Sequence, residues 1–240
     1  MIRLAVEPAR WGGTRIWLTA AEIHYLRRVM RRRSGDLVEV LGPDQTVYLA
    51  RLSEDGRALA LVGPRAAPTA PPGPAFTLYQ AVLKGDRFTE VVEKGTELGV
   101  WRFVPLITRR TVVREVSPAR RRRWETVGRE AAEQCGRPAL PEIGGVERLE
   151  ALVARGNPEP GWVLDPSGIP FAVAIREWLP DLHWSLWVGP EGGFAPEEVA
   201  ALTKLGLEAV SLGPLVWRAE NAGLWAVAML RGAWLARGEG

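Results

Sequence analysis

The pattern of apolar and polar residues divides the chain into two parts with different predicted elements. After residue 75, short apolar runs alternate with stretches of helical periodicity, which is typical of an α/β fold with a mostly parallel sheet. The predicted strands cover residues 76–83, 101–107, 161–164, 184–188 and 209–212. The predicted helices cover residues 87–98, 118–134, 149–154, 171–178, 196–205 and 222–235.

The first part of the chain has a different pattern. Short alternating runs at 15–18, 37–41, 46–52 and 58–62 are separated by turn residues, which predicts a small β-barrel. One helix is predicted over residues 20–33, with Thr19 and Glu22 in a capping box at its start. We therefore expect a β-barrel domain over residues 1–66, a proline-rich linker over 67–74 and an α/β domain over 75–240.

The predicted helix 20–33 has two distinct faces. Ile23, Leu26 and Met30 fall on one side at helical spacing, which predicts packing against the barrel. The other side carries Arg27, Arg28, Arg31 and Arg32. We interpret this stripe of arginines as a site for RNA phosphates, with a solvated helix face as the alternative.

Composition limits the classes of function. The chain has 240 residues, 47% hydrophobic and 25% charged, with a net charge of +3, as in ordinary globular proteins. No apolar run reaches the length of a membrane span and the N-terminus lacks a signal-peptide core, so we expect a cytoplasmic protein without membrane contact. One cysteine and two histidines leave little for a transition-metal site, so we expect no metal.

A glycine-rich segment is the strongest candidate for ligand binding. Gly189-Pro190-Glu191-Gly192-Gly193-Phe194 follows the predicted strand 184–188 and precedes a predicted helix. Glycines allow a ligand to approach the backbone at such a strand end, although a simple tight turn is the alternative. The segment matches neither the phosphate-binding P-loop nor the dinucleotide-binding glycine pattern.

Five motifs in order along the second part resemble those of the RsmE family. They are Lys84-Gly85-Asp86-Arg87, Lys94-x-Thr96-Glu97-Leu98-Gly99-Val100, Glu130-Ala131-Ala132-Glu133-Gln134-Cys135-Gly136-Arg137, the glycine-rich segment, and Leu212-Gly213 with Arg218-Ala219-Glu220. In the first part, His24-Tyr25-Leu26-Arg27-Arg28-Val29 and Gly35-Asp36 are similar to that family's PUA-like RNA-binding module.

The resemblance implies a fold and an activity. Members of this family are SPOUT-class methyltransferases that act on N3 of a uridine in the 16S ribosomal RNA of the small subunit. The implied fold is α/β, with a knotted, mostly parallel-sheet SPOUT domain preceded by a small PUA-like β-barrel. The implied cofactor is S-adenosylmethionine (SAM), and the implied assembly is a homodimer with the cofactor pocket near the dimer interface.

The sequence departs from the family pattern at four positions. Cys135, Trp217 and Asn221 stand where the family usually has Ser, Leu and Thr, and Ala195 replaces a Ser or Thr helix cap. Loss of the cap weakens a helix by about 1 kcal/mol. Acidic side chains in the first turn, here Glu197 and Glu198, are expected to compensate.

The expected cofactor pocket lies between two loops that follow predicted strands. Its backbone groups would bind adenine and ribose, and its apolar walls would include Leu212, Leu215 and Trp217. The full set of expected cofactor-binding residues is Leu164, Val188, Gly189, Pro190, Glu191, Gly192, Gly193, Leu212, Gly213, Leu215, Trp217 and Ala222.

Two residues after the second loop are the expected catalytic pair. Uridine N3 carries a proton that must leave, so the reaction needs a base or a stabiliser of the anion. We expect Arg218 to stabilise negative charge on the uracil carbonyls or to anchor a phosphate. Glu220 would assist deprotonation or hold Arg218 in place, and an ordinary ion pair at the helix start is the alternative.

Other polar residues are expected at the RNA surface. The expected RNA-binding residues are Arg27, Arg28, Arg31, Arg32, Lys84, Arg109 and Arg137. Glu130, Glu133 or Gln134, and Arg137 share a helical face that would contact RNA or form part of a dimer interface. Cys135 is expected to be a small packed residue, since no histidine adjoins it.

The last predicted helix is apolar around most of its circumference, which favours burial against a second subunit. Two alternative functions stay open at this stage. One is a related knotted methyltransferase for a ribose 2'-hydroxyl or a tRNA base, and the other is a non-enzymatic RNA-binding ribosome-assembly factor.

Overall fold

The computed structural model describes residues 3–42, 46–64, 74–137, 139–156, 159–178 and 183–237. The chain divides into two compact units. The first comprises Met1–Pro71 and Ala132–Leu140, and the second comprises Pro72–Ala131 and Pro141–Gly240. Residues 67–73 of the predicted linker lie outside the described residues.

The first unit is built on a curled six-stranded sheet. Its strands are β1 Arg3–Ala5, β2 Trp11–Gly12, β3 Arg15–Trp17, β4 Leu37–Leu41, β5 Val47–Leu52 and β6 Ala58–Pro64. They lie in the order β1-β4-β5-β6-β3-β2, and every neighbouring pair is antiparallel except β1 and β4. Alternate side chains of these strands form the core of the unit around Ile16, Val38 and Val40.

The helix of this unit is shorter than predicted. Helix α1 covers Ala20–His24 and continues as a π-helical turn over Tyr25–Val29. The predicted helix 20–33 is therefore wrong beyond Val29. Met30 donates its amide to the carbonyl of Tyr25 at 2.9 Å, five residues back, and this wider turn rotates Met30 out to an exposed position. Of the predicted apolar stripe, only Leu26 is fully buried.

The predicted capping box at α1 is confirmed. Thr19 Oγ1 accepts a hydrogen bond from the amide of Glu22 at 3.2 Å, and the amide of Thr19 donates to Glu22 Oε2 at 2.7 Å. The Glu22 carboxylate also pairs with Arg10. Burial disfavours the charge, but hydrogen bonds from Arg10 and Thr19 outweigh it and hold the pKa of Glu22 below its usual range.

The second unit is an α/β domain, as the sequence predicts. Its strands are β7 Phe76–Ala81, β8 Val100–Ile107, β9 Glu142–Ile143, β10 Glu147–Arg148, β11 Gly161–Pro170, β12 Trp184–Val188 and β13 Glu208–Ser211. Its helices are α2 Arg87–Glu97, α3 Pro118–Cys135, which runs into the first unit, α4 Leu149–Arg155, α5 Phe171–Ala174, α6 Pro196–Lys204 and α7 Ala219–Ala236. A 3-10 turn, Ile175–Glu177, completes the predicted helix 171–178.

The sheet of this unit is parallel and covered on both faces. Its strands lie in the order β10-β8-β7-β12-β11-β13, with β9 also paired to β8. Strand β7 is buried along its whole length, as expected for a central strand with helices on either side. Leu78 points into one core cluster, and Tyr79 points into the other and stacks on Trp187 with ring centroids 3.9 Å apart.

This sheet brings three strand ends to one edge. Strand β11 pairs in parallel with both β12 and β13, so the segments that follow the three strands emerge side by side. The register of β11 is irregular between Leu164 and Ile169, where residues 165–168 leave the ladder. A cavity forms where these segments meet.

Candidate functional site

The cavity at the strand ends has a volume of about 450 Å³. It is lined by the segments that follow β11, β12 and β13 and by the start of α7. All twelve residues expected to bind the cofactor lie in its wall: Leu164, Val188, Gly189, Pro190, Glu191, Gly192, Gly193, Leu212, Gly213, Leu215, Trp217 and Ala222. The structure thus assembles the predicted set in one place, while its binding role stays a prediction.

The wall combines apolar side chains with accessible backbone. Gly193 and Gly213 adopt left-handed conformations, with φ of 68° and 107°, that few other residues adopt. The indole Nε1 of Trp217 is buried and has no hydrogen-bond partner within the described residues. This unsatisfied donor belongs to a side chain of the cavity wall.

Arg110 holds the far side of the glycine-rich segment. Its Nη1 donates to the carbonyl oxygens of Gly192 at 2.8 Å and Phe194 at 3.1 Å, on either side of Gly193. The sequence predicts an RNA contact for the neighbouring Arg109. Arg110 is a residue of the cavity wall that the sequence reasoning missed.

Glu198 holds the end of the same segment. Its Oε2 accepts the amide of Ala195 at 2.8 Å and its Oε1 accepts the amide of Arg109 at 2.8 Å. Because Ala195 has no side-chain oxygen, only the glutamate half of a capping box is present. Glu198 is buried in the first turn of α6, and the expected compensation for the missing cap stays a prediction.

Glu191, in the middle of the segment, faces the start of α2. Its Oε1 accepts the amide of Lys84 at 3.2 Å and lies 3.3 Å from Nη1 of Arg87. Arg87 Nε also lies 3.7 Å from Glu220 Oε1 in the first turn of α7. One guanidinium therefore lies between two carboxylates from different elements.

The two expected catalytic residues have opposite environments. Arg218 is exposed at the N-cap position of α7, and Glu220 is buried with no hydrogen-bond partner for its Oε2 among the described residues. The two side chains form no ion pair with each other within the described part of the chain. The alternative of a helix-start ion pair is therefore wrong, because Glu220 pairs with Arg87 instead.

Comparison with known proteins identifies the family. The model of the RNA methyltransferase domain matches residues 71–231. The ribosomal RNA small subunit methyltransferase E of Synechocystis is 33% identical over 95% of this chain and 76% of its own length. This chain belongs to the RsmE family.

Other relatives agree with this assignment. The ribosomal RNA small subunit methyltransferase E of Bacillus subtilis is 29% identical over 89% of this chain and 88% of its own length. A solved ribosomal RNA small subunit methyltransferase E from Neisseria gonorrhoeae, bound to S-adenosyl methionine, is 25% identical with a TM-score of 0.84. That likeness covers 98% of both chains.

The arginines of the first unit in this RsmE family member surround a basic hollow. Arg27, Arg28, Arg32 and Arg33 line it together with His24. Arg27 also donates to the carbonyl of Asp55 at 2.9 Å. Arg31 is exposed in a left-handed conformation and is not among the residues that line the hollow.

The remaining predicted RNA-binding residues are dispersed. Lys84 is exposed, and Arg109 pairs with Glu197 at 3.1 Å on the surface. Arg137 lies in the Ala132–Leu140 segment of the first unit. In that segment Glu133 Oε1 accepts the amide of Ala5 at 2.7 Å. This contact within the first unit is neither the RNA contact nor the dimer contact that the sequence predicts for the helical face of Glu133.

Two further features are the environment of Cys135 and the contacts of the arginine run 120–123. Cys135 is exposed, so its expected packing is wrong. Arg120 donates to the carbonyls of Leu83 at 2.8 Å and Gly85 at 2.6 Å, and Arg123 pairs with Asp86 at 3.0 Å. This run of arginines therefore fixes a loop of its own domain.

The described residues contain neither a candidate metal-binding group nor a candidate membrane-spanning helix. No group of three or more His, Cys, Asp or Glu side chains there could hold a metal ion. No helix in the same part of the chain is both long and apolar enough to cross a membrane.

Proposed function

We propose that this protein transfers the methyl group of SAM to N3 of a uridine in 16S ribosomal RNA of the small ribosomal subunit. The observation that carries the proposal is that all twelve expected cofactor-binding residues line the same cavity. A relative from Neisseria gonorrhoeae with the same fold was solved with S-adenosyl methionine bound. Together these findings support SAM as the occupant of the cavity and the methyl donor.

The residues present fit such a cofactor. A volume of about 450 Å³ lies within the usual range for small-molecule sites. The buried indole N–H of Trp217 offers a hydrogen bond to a ligand, and the glycines leave the backbone of the 189–194 segment open. Leu164, Val188 and Leu212 supply apolar surface for an adenine ring.

The proposed chemistry needs positioning and charge stabilisation. SAM supplies an electrophilic methyl group when it is bound, and an in-line nucleophile with good geometry needs no metal. Arg218 is exposed and stabilises the negative charge of the uracil imide or binds a neighbouring phosphate. Glu220 is positioned at the first turn of the same helix and takes part in removal of the N3 proton.

We extend the proposal to the fold and the assembly. The first unit is a PUA-like β-barrel that binds RNA through the arginines of its basic hollow. The segment from β11 to α7 forms a trefoil knot, in line with the position of β11 between two strands that follow it in the chain.

We also propose a homodimer. Helix α7 buries one face, while Trp225, Met229 and Leu235 expose apolar surface on another. A second copy of the chain that covers this face would place the dimer interface near the cavity, since Ala222 of α7 lines its wall.

One experiment tests the proposed function. The protein is incubated with methyl-labelled SAM and small ribosomal subunits that lack the modification, and the RNA is then digested to nucleosides. Label in N3-methyluridine supports the proposal. Label in a 2'-O-methylated nucleoside or a purine identifies a different methyltransferase, and absence of label on intact subunits and bare RNA refutes the enzymatic function.

A further inference from the structure

Arg87 connects the glycine-rich segment to the first turn of α7. Its Nη1 lies 3.3 Å from Glu191 Oε1, and its Nε lies 3.7 Å from Glu220 Oε1. Glu191 lines the cavity proposed for SAM. Glu220 lies in the first turn of α7, two residues after the N-cap residue Arg218. The same guanidinium therefore touches both the cofactor segment and the acidic residue of the proposed reaction.

The burial of the three groups makes this contact important. The side chain of Glu220 is 9% exposed, whereas those of Glu191 and Arg87 are 30% and 43% exposed. A buried carboxylate is costly unless a cation is close to it. Among the described residues, Arg87 is the only cation in an ion pair with Glu220.

The position of Arg87 is itself fixed by neighbouring residues. The loop before α2 is held by α3, through the hydrogen bonds of Arg120 to the carbonyls of Leu83 and Gly85. Arg123 pairs with Asp86, the residue before Arg87. These contacts fix the backbone from which the Arg87 side chain extends towards the glycine-rich segment and the first turn of α7.

We infer that Arg87 is a positioning residue that sets the glycine-rich segment and Glu220 relative to each other. This inference rests on the proposed function and assigns to Arg87 the pairing with Glu220 that the sequence suggested for Arg218. With Arg87 in place, cofactor binding and proton removal depend on one shared contact. Its loss affects both SAM affinity and the rate of transfer.

The test compares Arg87→Met with Arg87→Lys. Met keeps the length of the side chain and removes the charge, whereas Lys keeps the charge and loses the fork that meets two carboxylates. We expect Arg87→Met to weaken SAM binding by about threefold to fivefold in calorimetry, which is the range for loss of a partly exposed ion pair. We expect its single-turnover rate at saturating SAM to fall as well, and Arg87→Lys to recover part of both.

A matched control and a double variant separate positioning from general stability. Arg155 pairs with Glu147 at 3.1 Å, and neither residue lines the cavity, so Arg155→Met should leave SAM affinity and rate unchanged. The variant Glu191→Gln should weaken SAM binding, and adding it to Arg87→Met should weaken binding little further, because both remove the same contact.

The outcomes are distinct. A folded Arg87→Met protein with wild-type SAM affinity and single-turnover rate overturns the inference, as do additive effects of Arg87→Met and Glu191→Gln. If Arg87→Met fails to fold, Arg87→Lys decides, since wild-type SAM affinity and rate in that variant overturn the two-carboxylate role. If the wild-type protein binds SAM but transfers no methyl group, the proposed function fails, and the calorimetric comparison still tests the contact with the glycine-rich segment.

Discussion

Replacement of Gly193 by valine tests the glycine-rich segment directly. Gly193 has φ of 68°, and no atom lies within 4 Å of the position that a Cβ would take. The substitution therefore meets no steric clash with the rest of the protein, and its effect comes from the backbone. A left-handed conformation costs an L-residue about 1–2 kcal/mol, and a β-branched residue is among the least tolerant.

The loop has two ways to respond to this strain. It keeps its conformation and the domain loses stability, or φ becomes negative and the neighbouring peptides turn. Turning them breaks at least one hydrogen bond of Arg110 to the carbonyls of Gly192 and Phe194, each worth about 1 kcal/mol. A ligand that needs the native loop must restore it on binding, so the strain enters the binding free energy. We expect SAM affinity to fall about tenfold, which corresponds to 1.4 kcal/mol.

Calorimetric titration of SAM, with circular dichroism as a check on folding, measures this effect. Gly206→Val is the matched control, because Gly206 also has a positive φ, of 91°, and no atom within 4 Å of its Cβ position, but it does not line the cavity. Its SAM affinity should stay within about twofold of wild type, since backbone strain away from the cavity does not enter the binding free energy. Equal affinity of wild type and a folded Gly193→Val, or equal losses in both variants, would refute the reasoning.

Three further predictions concern other parts of the molecule. Changing Arg28 and Arg32 together to glutamate should weaken RNA binding and flatten the log–log salt dependence by about two units, with SAM affinity unchanged; an unchanged salt slope in filter binding would assign the stripe to solvated surface. Arg218→Ala should lower the single-turnover rate by about two to three orders of magnitude, with partial recovery in Arg218→Lys; a normal rate with a lower melting temperature would remove it from catalysis. Glu198→Ala should lower the free energy of unfolding, measured in urea, by about 2–3 kcal/mol, because the amides of Ala195 and Arg109 lose their acceptor. The control Glu197→Ala removes an exposed carboxylate and should change this free energy by less than about 1 kcal/mol. Equal losses in the two variants would contradict the role of Glu198 as acceptor for both amides.

Much of the second unit is predictable because its elements are long and strongly patterned. Strand β12, Trp184–Val188, is a largely buried apolar run bounded by turns, and its ends agree with the prediction. Strands β9 and β10 were missed, since two residues are too few to show alternation. The error at the end of the predicted helix 20–33 has a different origin, because a period of 3.6 residues does not reveal a π-helical turn such as Tyr25–Val29.

The residues of the candidate site also fall into two groups, those that the local sequence predicts and those that it does not. Its lining residues follow strand ends and include glycines, so local sequence indicates them before the sheet order is known. The residues that hold the loop are not visible locally, since Arg110 lies 82 positions from Gly192 and Arg87 lies 104 positions from Glu191. An arginine in the sequence carries no sign of which distant carbonyl or carboxylate it will meet, and the buried pairing of Glu220 is known only from the fold.

The position of the cavity residues along the chain has a consequence for biosynthesis. Apart from Arg110, every residue in the cavity wall lies between Leu164 and Ala222, in the last third of the polypeptide. Domains form from the N-terminus onward during translation, so the first unit's sheet, β7 and β8 are made before any of these residues exist. A nascent chain therefore holds the arginines of the basic hollow long before it can hold a small molecule in the cavity. Polypeptides whose synthesis stops before α7 would keep a basic surface but lack Ala219 and Ala222 of the cavity wall, so the final helix is the element that completes the pocket.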